Sequence, residues 1–380
     1  MQVLKFGGSS VASADAMLQV IQIVRKALET DRTIVVSSAI SGCTDELIAI
    51  GRLAGVRDKS YEERLQALQE RHRQIVQELL PKSSQAKTME TVEKTFTQLS
   101  SILRGVYLLS ELSPTSLAAV ESFGELLSTR ILTDKFQSLG VPCQWLDARE
   151  LVVVRGGSVD TTVTYKRIQE SVQKHLHTQL FVVPGFIARD EEGRPATLGR
   201  GGSDYIASLF AVGVHARREE IWTDVPGIMT ANPKVAPSAR TIPNISYRAA
   251  QELSHFGAKV IYPPTIQPVV AEGIPIYVKD TFHPENPGTL VEKNPPQTEG
   301  GVIGLAHSEG IALISLEGSG MVGAHALPHA LCDAGSQQYD SGGRLRCSAG
   351  ETDPTPYCAG VCGRSGSSSS CCSATWSRFA

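Results

Sequence analysis

The sequence predicts an α/β protein whose open, mostly parallel sheet carries helices on both faces. Two strand-like runs, 3–6 and 33–36, enclose a segment in which apolar residues recur at helical spacing, namely Met17, Val20, Ile21, Val24 and Leu28. A strand, a helix and a second strand in this order form a βαβ unit, in which the two strands are parallel. Several further strand-like runs end in Gly, Asp or Ser, which places polar loops at the carboxyl edge of the sheet, where such folds bind ligands.

The other elements follow from the same patterns along the chain. Ser13 is positioned to cap the first helix, and small-residue loops follow the first two strands at 7–10 and 37–43. A long helical stretch at 57–112, polar on one side, predicts an inserted helical hairpin. Later apolar runs predict four more strands, at 151–154, 180–183, 220–223 and 276–278.

The composition argues against several classes of protein. Lys and Arg number 36 against 39 Asp and Glu, so neither a nucleic acid nor an acidic membrane is expected as the main partner. No apolar run approaches the ~20 residues of a membrane span, and the N-terminus has no signal-peptide pattern. Cys43 and Cys143 are the only cysteines before Cys332, which fits a reducing compartment. We therefore expect a cytoplasmic protein.

A new strand pattern begins after Gly301. The apolar runs 303–305 and 311–316 predict the first strands of a small second domain at 300–323. The preceding residues, 1–295, are expected to form the catalytic domain.

The tail at 324–380 differs from the rest of the chain. It has no Lys, Ile or Met and no hydrophobic period. Such a composition predicts disorder, because it cannot bury enough apolar surface to offset chain entropy. A metal site on Cys358, Cys362 and the Cys371-Cys372 pair is an alternative interpretation. A third is translation in a shifted reading frame, which we favour and which also predicts disorder.

The first chemical motif is Lys5-Phe6-Gly7-Gly8-Ser9-Ser10. Two glycines after a strand let the backbone approach a phosphate, and the helix that follows adds its positive N-terminus. Lys5 supplies a full positive charge, although a tight turn with a solvated lysine would give the same pattern. The motif is neither G-x-x-x-x-G-K-[ST] nor G-x-G-x-x-G, which argues against a P-loop enzyme and against a nicotinamide-binding domain.

The motif Leu198-Gly199-Arg200-Gly201-Gly202-Ser203-Asp204 is more specific. An arginine between glycines has an open approach for the bidentate capture of a carboxylate. Asp204 opens the next predicted helix. A purely structural role for it there would be to cap the N-terminus of that helix. A purely structural loop rarely combines these residue types, so the motif predicts a binding site.

Two further segments carry weaker signals. Thr223 and Asp224 follow a strand and precede Pro226-Gly227, which fits a turn as well as a site for a ribose or a magnesium-linked phosphate. Phe256-Gly257-Ala258-Lys259 places a second cation beside a glycine. Neither segment alone decides the ligand.

Together these segments resemble the aspartokinase family of the amino-acid kinase fold, over residues 1–323. The matching segments are 5–10, 123–125, 198–204, 222–228 and 253–260. The resemblance implies an aspartate kinase, which transfers the ATP γ-phosphate to the β-carboxylate of L-aspartate in the first step of lysine, threonine and methionine biosynthesis. ATP and Mg²⁺ are the implied cofactors. The 57–112 insertion is similar to that of the longer class of these enzymes, which includes fusions to homoserine dehydrogenase.

The resemblance also implies a role for each matching residue. The implied catalytic residues are Lys5, Gly8 and Asp204. The implied substrate-binding residues are Ser38, Thr44, Glu125, Arg200 and Ser203. The implied ATP-binding residues are Lys5, Gly7, Gly8, Ser9, Thr223, Asp224, Lys234 and Lys259. No protein ligand to a metal is implied.

Glu125 and Arg200 are expected to bind the two ends of an amino acid. Glu125 resembles the carboxylate that holds the substrate ammonium, and Arg200 the clamp on its α-carboxylate. By position alone, Glu125 is equally consistent with a helix-surface charge. Met229 and the segment 262–264 depart from the family's usual residues on the ATP side.

Family members also carry ACT domains, which bind lysine or threonine and form dimers. The segment 300–323 is accordingly interpreted as the start of a truncated ACT-like domain. On this interpretation the family's homo-oligomer is in doubt here, and the enzyme is expected to be insensitive to both amino acids. The competing interpretations are another carboxylate or nucleotide kinase of the same fold and a catalytically impaired remnant.

Overall fold

The computed structural model describes residues 1–255, 261–296 and 302–305, together with the strand segments 313–315 and 375–377. Residues 1–307 form one compact unit and residues 308–380 a second. The domain boundaries expected from the sequence, at 295 and at 300–323, stay predictions.

The first unit contains the elements expected of an α/β protein. Its strands are β1 (Gln2–Phe6), β2 (Thr33–Ser37), β3 (Cys143–Trp145), β4 (Val153–Arg155), β5 (Ser158–Val159), β6 (Leu180–Pro184), β7 (Ile187–Asp190), β8 (Pro195–Thr197), β9 (Glu219–Thr223), β10 (Asn244–Ser246), β11 (Ile276–Asp280) and β12 (Thr289–Glu292). Its helices are α1 (Ala14–Leu28), α2 (Cys43–Gly55), α3 (Ser60–Leu79), α4 (Lys82–Leu109), α5 (Pro114–Ser138), α6 (Ala148–Leu151), α7 (Thr161–Gln173), α8 (Gly202–Gly213), α9 (Tyr247–His255) and α10 (Pro263–Glu272).

Eight strands form the main sheet, in the order β10-β12-β11-β9-β1-β2-β6-β3. Every neighbouring pair is parallel except β11 and β12. The remaining strands form a four-stranded sheet in the order β5-β4-β7-β8. The predicted open and mostly parallel sheet is therefore confirmed.

Helices cover both faces of the main sheet. Leu4 packs in one hydrophobic cluster with Met17 of α1, whereas its neighbour Val3 packs in a second cluster with Phe210 of α8. Alternate residues of a strand point to opposite faces, so β1 contributes to both cores. Strands β2 and β6 are buried along their whole length, which explains their continuous apolar runs.

The predicted helical hairpin at 57–112 corresponds to α3 and α4. Both helices contribute one buried face, including Leu68 and Leu99, to the cluster that contains Leu4. Within the described ranges, no helix has the length and apolarity needed to cross a lipid bilayer.

One strand prediction was correct only in part, and another was wrong. The run 151–154 divides between α6 and β4, because the Asp147 side chain accepts a hydrogen bond from Arg149 N and starts a short helix that ends at Leu151. The run 303–305 is not a strand: Leu305 N donates to Thr230 O at 2.8 Å, and no neighbouring ladder is formed there.

The second unit is described only at two strands, β13 (Leu313–Ser315) and β14 (Thr375–Ser377), which pair antiparallel. The first corresponds to part of the predicted run 311–316. The second falls within the tail at 324–380, whose expected disorder stays a prediction. The rest of that tail, including the cysteines of the alternative metal site, lies outside the described residues.

Candidate active site

Three of the four motifs, at 5–10, 198–204 and 223–227, converge at the carboxyl ends of β1, β2 and β9. The fourth, at 256–259, lies outside the described residues. Gly7 N donates to Trp222 O at 3.2 Å, and Ser41 N donates to Gly8 O at the same distance. These bonds hold the glycine loop after β1 between the end of β9 and the loop that follows β2. Since the carboxyl ends of parallel strands share one edge, motifs far apart in sequence are brought together here.

Gly7 and Gly8 have different surroundings. A Cβ atom on Gly8 would lie 3.1 Å from Ala39 O, so a side chain there would press on the loop after β2. A Cβ atom on Gly7 would have Lys5 Nζ as its nearest neighbour, at 3.7 Å. Gly8 is therefore required by close packing, while a Cβ atom on Gly7 would be accommodated at ordinary contact distances beside the lysine charge.

Lys5 and Asp204 form an ion pair. Lys5 Nζ lies 2.6 Å from Asp204 Oδ1, and the two side chains are only 12% and 13% exposed. Lys5 is in β1 and Asp204 is in the first turn of α8. The N-cap position of α8 is Gly201, so the interpretation of Asp204 as an N-cap was wrong. Its carboxylate instead fixes the lysine ammonium at the glycine loop.

Ser38 and Ser203 join the loop after β2 to the start of α8. Ser38 Oγ donates to Ser203 Oγ at 3.0 Å, and Ser203 directly precedes Asp204 in the sequence. Ser128 Oγ in turn donates to Ser38 O at 2.8 Å, which fixes the loop against α5. Thr44, the other hydroxyl residue expected at the substrate, is half-buried in the first turn of α2.

Glu125 is buried on α5, at 3% exposure, so the interpretation as a helix-surface charge was wrong. Its Oε1 accepts a hydrogen bond from Ala39 N at 3.2 Å, next to Ser38. Its Oε2 is buried with no hydrogen-bond partner among the described residues. Burial, helped by the nearby Glu121 carboxylate, raises the pKa of Glu125 to about 8. A buried carboxylate oxygen without a donor is unfavourable, and an ammonium group of a ligand would satisfy it.

Arg200 is exposed and forms no ion pair with any described residue. Gly199 and Gly201, with φ of 66° and 73°, hold it in a turn that only glycines adopt easily. Its guanidinium lies 5.4 Å from the centre of the Tyr262 ring. Tyr262 was assigned to the ATP side of the site, whereas its ring contacts the expected carboxylate clamp. Arg200 is thus available to a ligand but does not touch the Glu125 group.

The expected nucleotide residues are less closely connected. Thr223 Oγ1 donates to Asp224 Oδ1 at 3.2 Å, and Asp224 is exposed. Lys234 is also exposed, and its backbone N donates to Asn232 Oδ1. Lys259 lies outside the described residues. Ser9 is half-buried in a 3₁₀ turn between β1 and α1.

The sequence analysis missed two features of this edge. Phe186 has φ of 62°, a conformation that a bulky residue adopts only under strain, and such strain is concentrated at functional sites. Its carbonyl accepts from Leu198 N at 2.9 Å, which ties the end of β6 to the Arg200 loop. Ser10 Oγ lies 2.7 Å from Thr281 Oγ1, which links the glycine loop to the residue after β11. Gly185, which directly follows β6, was a usable sequence signal for the turn at Phe186, whereas no sequence signal pointed to the contact between Ser10 and Thr281.

The sequence model of the Amino acid kinase family matches residues 1–280. The chain belongs to the amino acid kinase family. The chain is 33% identical over 330 residues to a bifunctional aspartokinase/homoserine dehydrogenase of Daucus carota, an alignment that covers 84% of this chain and 36% of that protein. It is 35% identical over 301 residues to lysine-sensitive aspartokinase 3 of Escherichia coli, covering 77% and 65% of the two chains.

Solved structures of aspartokinases are also similar to this chain. The structure of E. coli aspartokinase III in complex with aspartate and ADP matches this chain with a TM-score of 0.73 and 29% identity, covering 88% of this chain and 74% of that one. The complex of the same enzyme with lysine and aspartate matches with a TM-score of 0.70 and 34% identity, covering 79% and 65%. The resemblance to aspartokinases is confirmed, although the chain spans only about a third of the length of the bifunctional plant relatives.

Proposed function

We propose that this kinase transfers the γ-phosphate of ATP to the β-carboxylate of L-aspartate. The observation that carries the proposal is the buried, unpartnered Oε2 of Glu125 beside the Ser38–Ser203 pair. A ligand ammonium is the group this oxygen lacks, and the free guanidinium of Arg200 suits the carboxylate of the same amino acid. These two groups favour an amino acid over a sugar or a nucleotide as the phosphate acceptor.

The phosphate side is supported by the Lys5–Asp204 pair. A lysine ammonium has three N–H donors, so Lys5 can bind Asp204 and still donate to phosphate oxygens. Gly7 has no side chain, and an atom at its Cβ position would lie 3.7 Å from the same nitrogen, so a phosphate can approach the loop backbone here. The helix that follows adds the positive end of its dipole.

The reaction needs charge neutralisation more than proton transfer. An aspartate side chain has a pKa of about 3.9, so at pH 7 it is already an ionised nucleophile. One of its oxygens attacks the γ-phosphorus, the bond from phosphorus to the ADP oxygen breaks, and 4-phospho-L-aspartate and ADP form. Two unit charges 4 Å apart repel by ~4 kcal/mol at an effective dielectric of 20, so the attack requires fixed positive groups. Lys5 and the loop amides supply them.

Magnesium enters this proposal as part of the substrate MgATP. The described residues contain no group of three or more His, Cys, Asp and Glu that could hold a metal ion. The phosphate oxygens would supply most of its ligands, since Mg²⁺ keeps several waters and is often bound through substrate phosphates. Thr223 and Asp224 remain the expected contacts on the nucleotide side.

The cellular context is proposed on the same basis. The product would enter the synthesis of lysine, threonine and methionine. Cys43 and Cys143 are both free thiols in the described part of the chain, which supports a reducing compartment such as the cytoplasm. The carrot and maize relatives are named as chloroplastic, and that alternative can be tested by fusion to a fluorescent protein.

A substrate panel tests the activity. Purified chain is incubated with MgATP, hydroxylamine and one acceptor at a time, and the hydroxamate formed from the acyl phosphate is measured. L-Aspartate should give hydroxamate, whereas L-glutamate and N-acetyl-L-glutamate should not. ADP release with uridylate as the acceptor is followed in parallel. A preference for any of these three over aspartate would refute the proposal.

A further inference from the structure

Glu219 is a fully buried carboxyl group behind the candidate active site. It lies in β9, with 0% of its surface exposed. Ser208 of α8 is its hydrogen-bond partner, with Oγ 3.1 Å from one carboxyl oxygen and 3.4 Å from the other. One hydroxyl offers one proton, so it cannot satisfy both oxygens of a buried carboxylate. A buried charge with so little compensation is strongly disfavoured.

The fold places this pair directly behind Lys5 and Asp204. In the parallel register of β1 and β9, Val3 is the partner of Glu219, and Lys5 lies two residues further along the same face. Ser208 is one helical turn beyond Asp204 on α8, so these two side chains also share a face. The Ser208–Glu219 contact is therefore continuous with the Lys5–Asp204 ion pair.

The surroundings of Glu219 favour its uncharged form. Burial is the largest cause that raises its pKa, and the negative charge of Asp204 adds to it, whereas the Ser208 hydrogen bond and the Lys5 charge act in the opposite direction. Together they raise the pKa of Glu219 to about 8. Tyr247 of α9 also faces Glu219, but burial raises the pKa of Tyr247 to about 12, so this phenol stays neutral. Glu219 is thus protonated at neutral pH and titrates on the alkaline side.

We propose that Glu219 is a positioning residue for phosphoryl transfer, whose uncharged carboxyl leaves the Lys5 ammonium to be shared between Asp204 and the phosphates. This inference rests on the proposed function. When Glu219 ionises, a second negative charge lies behind Lys5 and attracts the ammonium toward the protein. Less positive charge then remains for the phosphates, so turnover and nucleotide binding both weaken.

Two variants test this inference through the pH profile of kcat. With saturating MgATP and aspartate, the unaltered chain should lose activity above a midpoint near pH 8. Glu219→Gln should keep the neutral-pH value of kcat and abolish this alkaline loss, because an amide cannot ionise. Ser208→Ala should shift the loss to higher pH, since it removes a bond that favours the charged form. Ser122→Ala, a buried serine on α5, is the matched control and should leave the profile unchanged.

A binding measurement separates this inference from the proposed function. The affinity for MgADP is measured by calorimetry over the same pH range, which requires no turnover. It should weaken above about pH 8 in the unaltered chain but not in Glu219→Gln. An alkaline loss that is identical in the unaltered chain and both variants would overturn the role of Glu219. If the amide variant does not fold, Ser208→Ala decides alone. Absence of aspartate-dependent turnover would refute the proposed function, and the MgADP profile would still test Glu219.

Discussion

Lys5 Nζ lies 2.6 Å from Asp204 Oδ1, and this ion pair joins the end of β1 to the first turn of α8. The contact brings the glycine loop and the Arg200 loop to one point of the sheet edge. Both side chains are largely buried, so the ammonium keeps a defined position. A fixed cation at the phosphate loop stabilises developing charge better than a mobile one, because no reorganisation is needed during the reaction.

Lys5→Ala should abolish turnover while leaving the fold intact. Removing one preorganised charge contact lowers kcat by roughly 10²–10³, and the lysine is a central one here. Steady-state kinetics give kcat, and circular dichroism with thermal unfolding reports the fold. Lys26→Ala, at an exposed position of α1, is the control and should behave like the unaltered chain. Wild-type-like turnover in Lys5→Ala would refute its catalytic role.

Arg200→Ala should raise the KM for aspartate far more than that for ATP. A hydrogen bond to a charged group contributes about 1.5–3 kcal/mol, which corresponds to a rise of roughly 10- to 100-fold. Arg200→Lys should have an intermediate effect, because it keeps the charge but loses the planar pair of donors. Arg217→Ala, at an exposed arginine paired with Asp31, is the control. Equal effects on the two KM values would count against a carboxylate clamp.

The sequence predicted which loops lie at the carboxyl edge of the sheet, because the strand patterns that determine this are local. The strands β2 and β6 are buried apolar runs, and β1, β9 and β11 each contain a shorter apolar run. Their parallel order brings the following loops together without any knowledge of side-chain contacts. The Lys5 and Arg200 motifs were found for that reason. The contact between the two motifs through Lys5 and Asp204 was implied only by the family resemblance. The structure gives the distance between Lys5 Nζ and Asp204 Oδ1.

Other features depend on tertiary packing, which local patterns do not determine. Helix α5 is buried on nearly all sides, so the position of Glu125 along it did not reveal which way its side chain points. The contact between Tyr262 and Arg200 joins two loops, and no periodic pattern signals it. Glu219 lies just before the predicted strand 220–223, and its burial beside Ser208 could not be inferred from that strand pattern.

Aspartate binding should strengthen as the pH rises toward 8. Glu125 has a pKa raised to about 8 by burial, so it is mostly protonated at pH 7 and must ionise to bind an ammonium. Below this pKa the affinity should fall about tenfold per pH unit, since each proton must be released. Calorimetry in buffers of different ionisation enthalpy measures that release. Glu125→Gln should bind weakly at every pH and release no proton; proton release equal to that of the unaltered chain would contradict the assignment.

The free energy of unfolding should also depend on pH, because of the buried carboxyl groups of Glu125 and Glu219. Glu125 and Glu219 have pKa values raised from 4.5 to about 8, so between these pH values the folded chain binds more protons than the unfolded chain. The free energy of unfolding should therefore fall as pH rises through this window, by up to about 1.4 kcal/mol per pH unit for each group, and level off above it. Urea titrations at pH 5, 6, 7 and 8 measure the slope. Glu125→Gln should reduce it, and an unchanged slope would mean that Glu125 is not buried as described.

Gly7→Ala and Gly8→Ala should differ in their effects on protein stability, although the two glycines are neighbours. A Cβ atom on Gly8 would lie 3.1 Å from Ala39 O and 3.5 Å from the Ser41 backbone, so Gly8→Ala should displace the loop and destabilise the chain by about 1–3 kcal/mol. A Cβ atom on Gly7 would have no neighbour closer than 3.7 Å, so Gly7→Ala should fold with an unchanged melting temperature.

The Gly7 methyl group would nevertheless occupy the space beside Lys5 Nζ, where a phosphate is proposed to approach. We therefore expect Gly7→Ala to raise the KM for ATP and to lower kcat, while the KM for aspartate changes little. Thermal unfolding and steady-state kinetics on the same preparations separate the two effects. If Gly7→Ala were stable and bound ATP as well as the unaltered chain, the phosphates would have to lie elsewhere, and the proposed role of the glycine loop would be wrong.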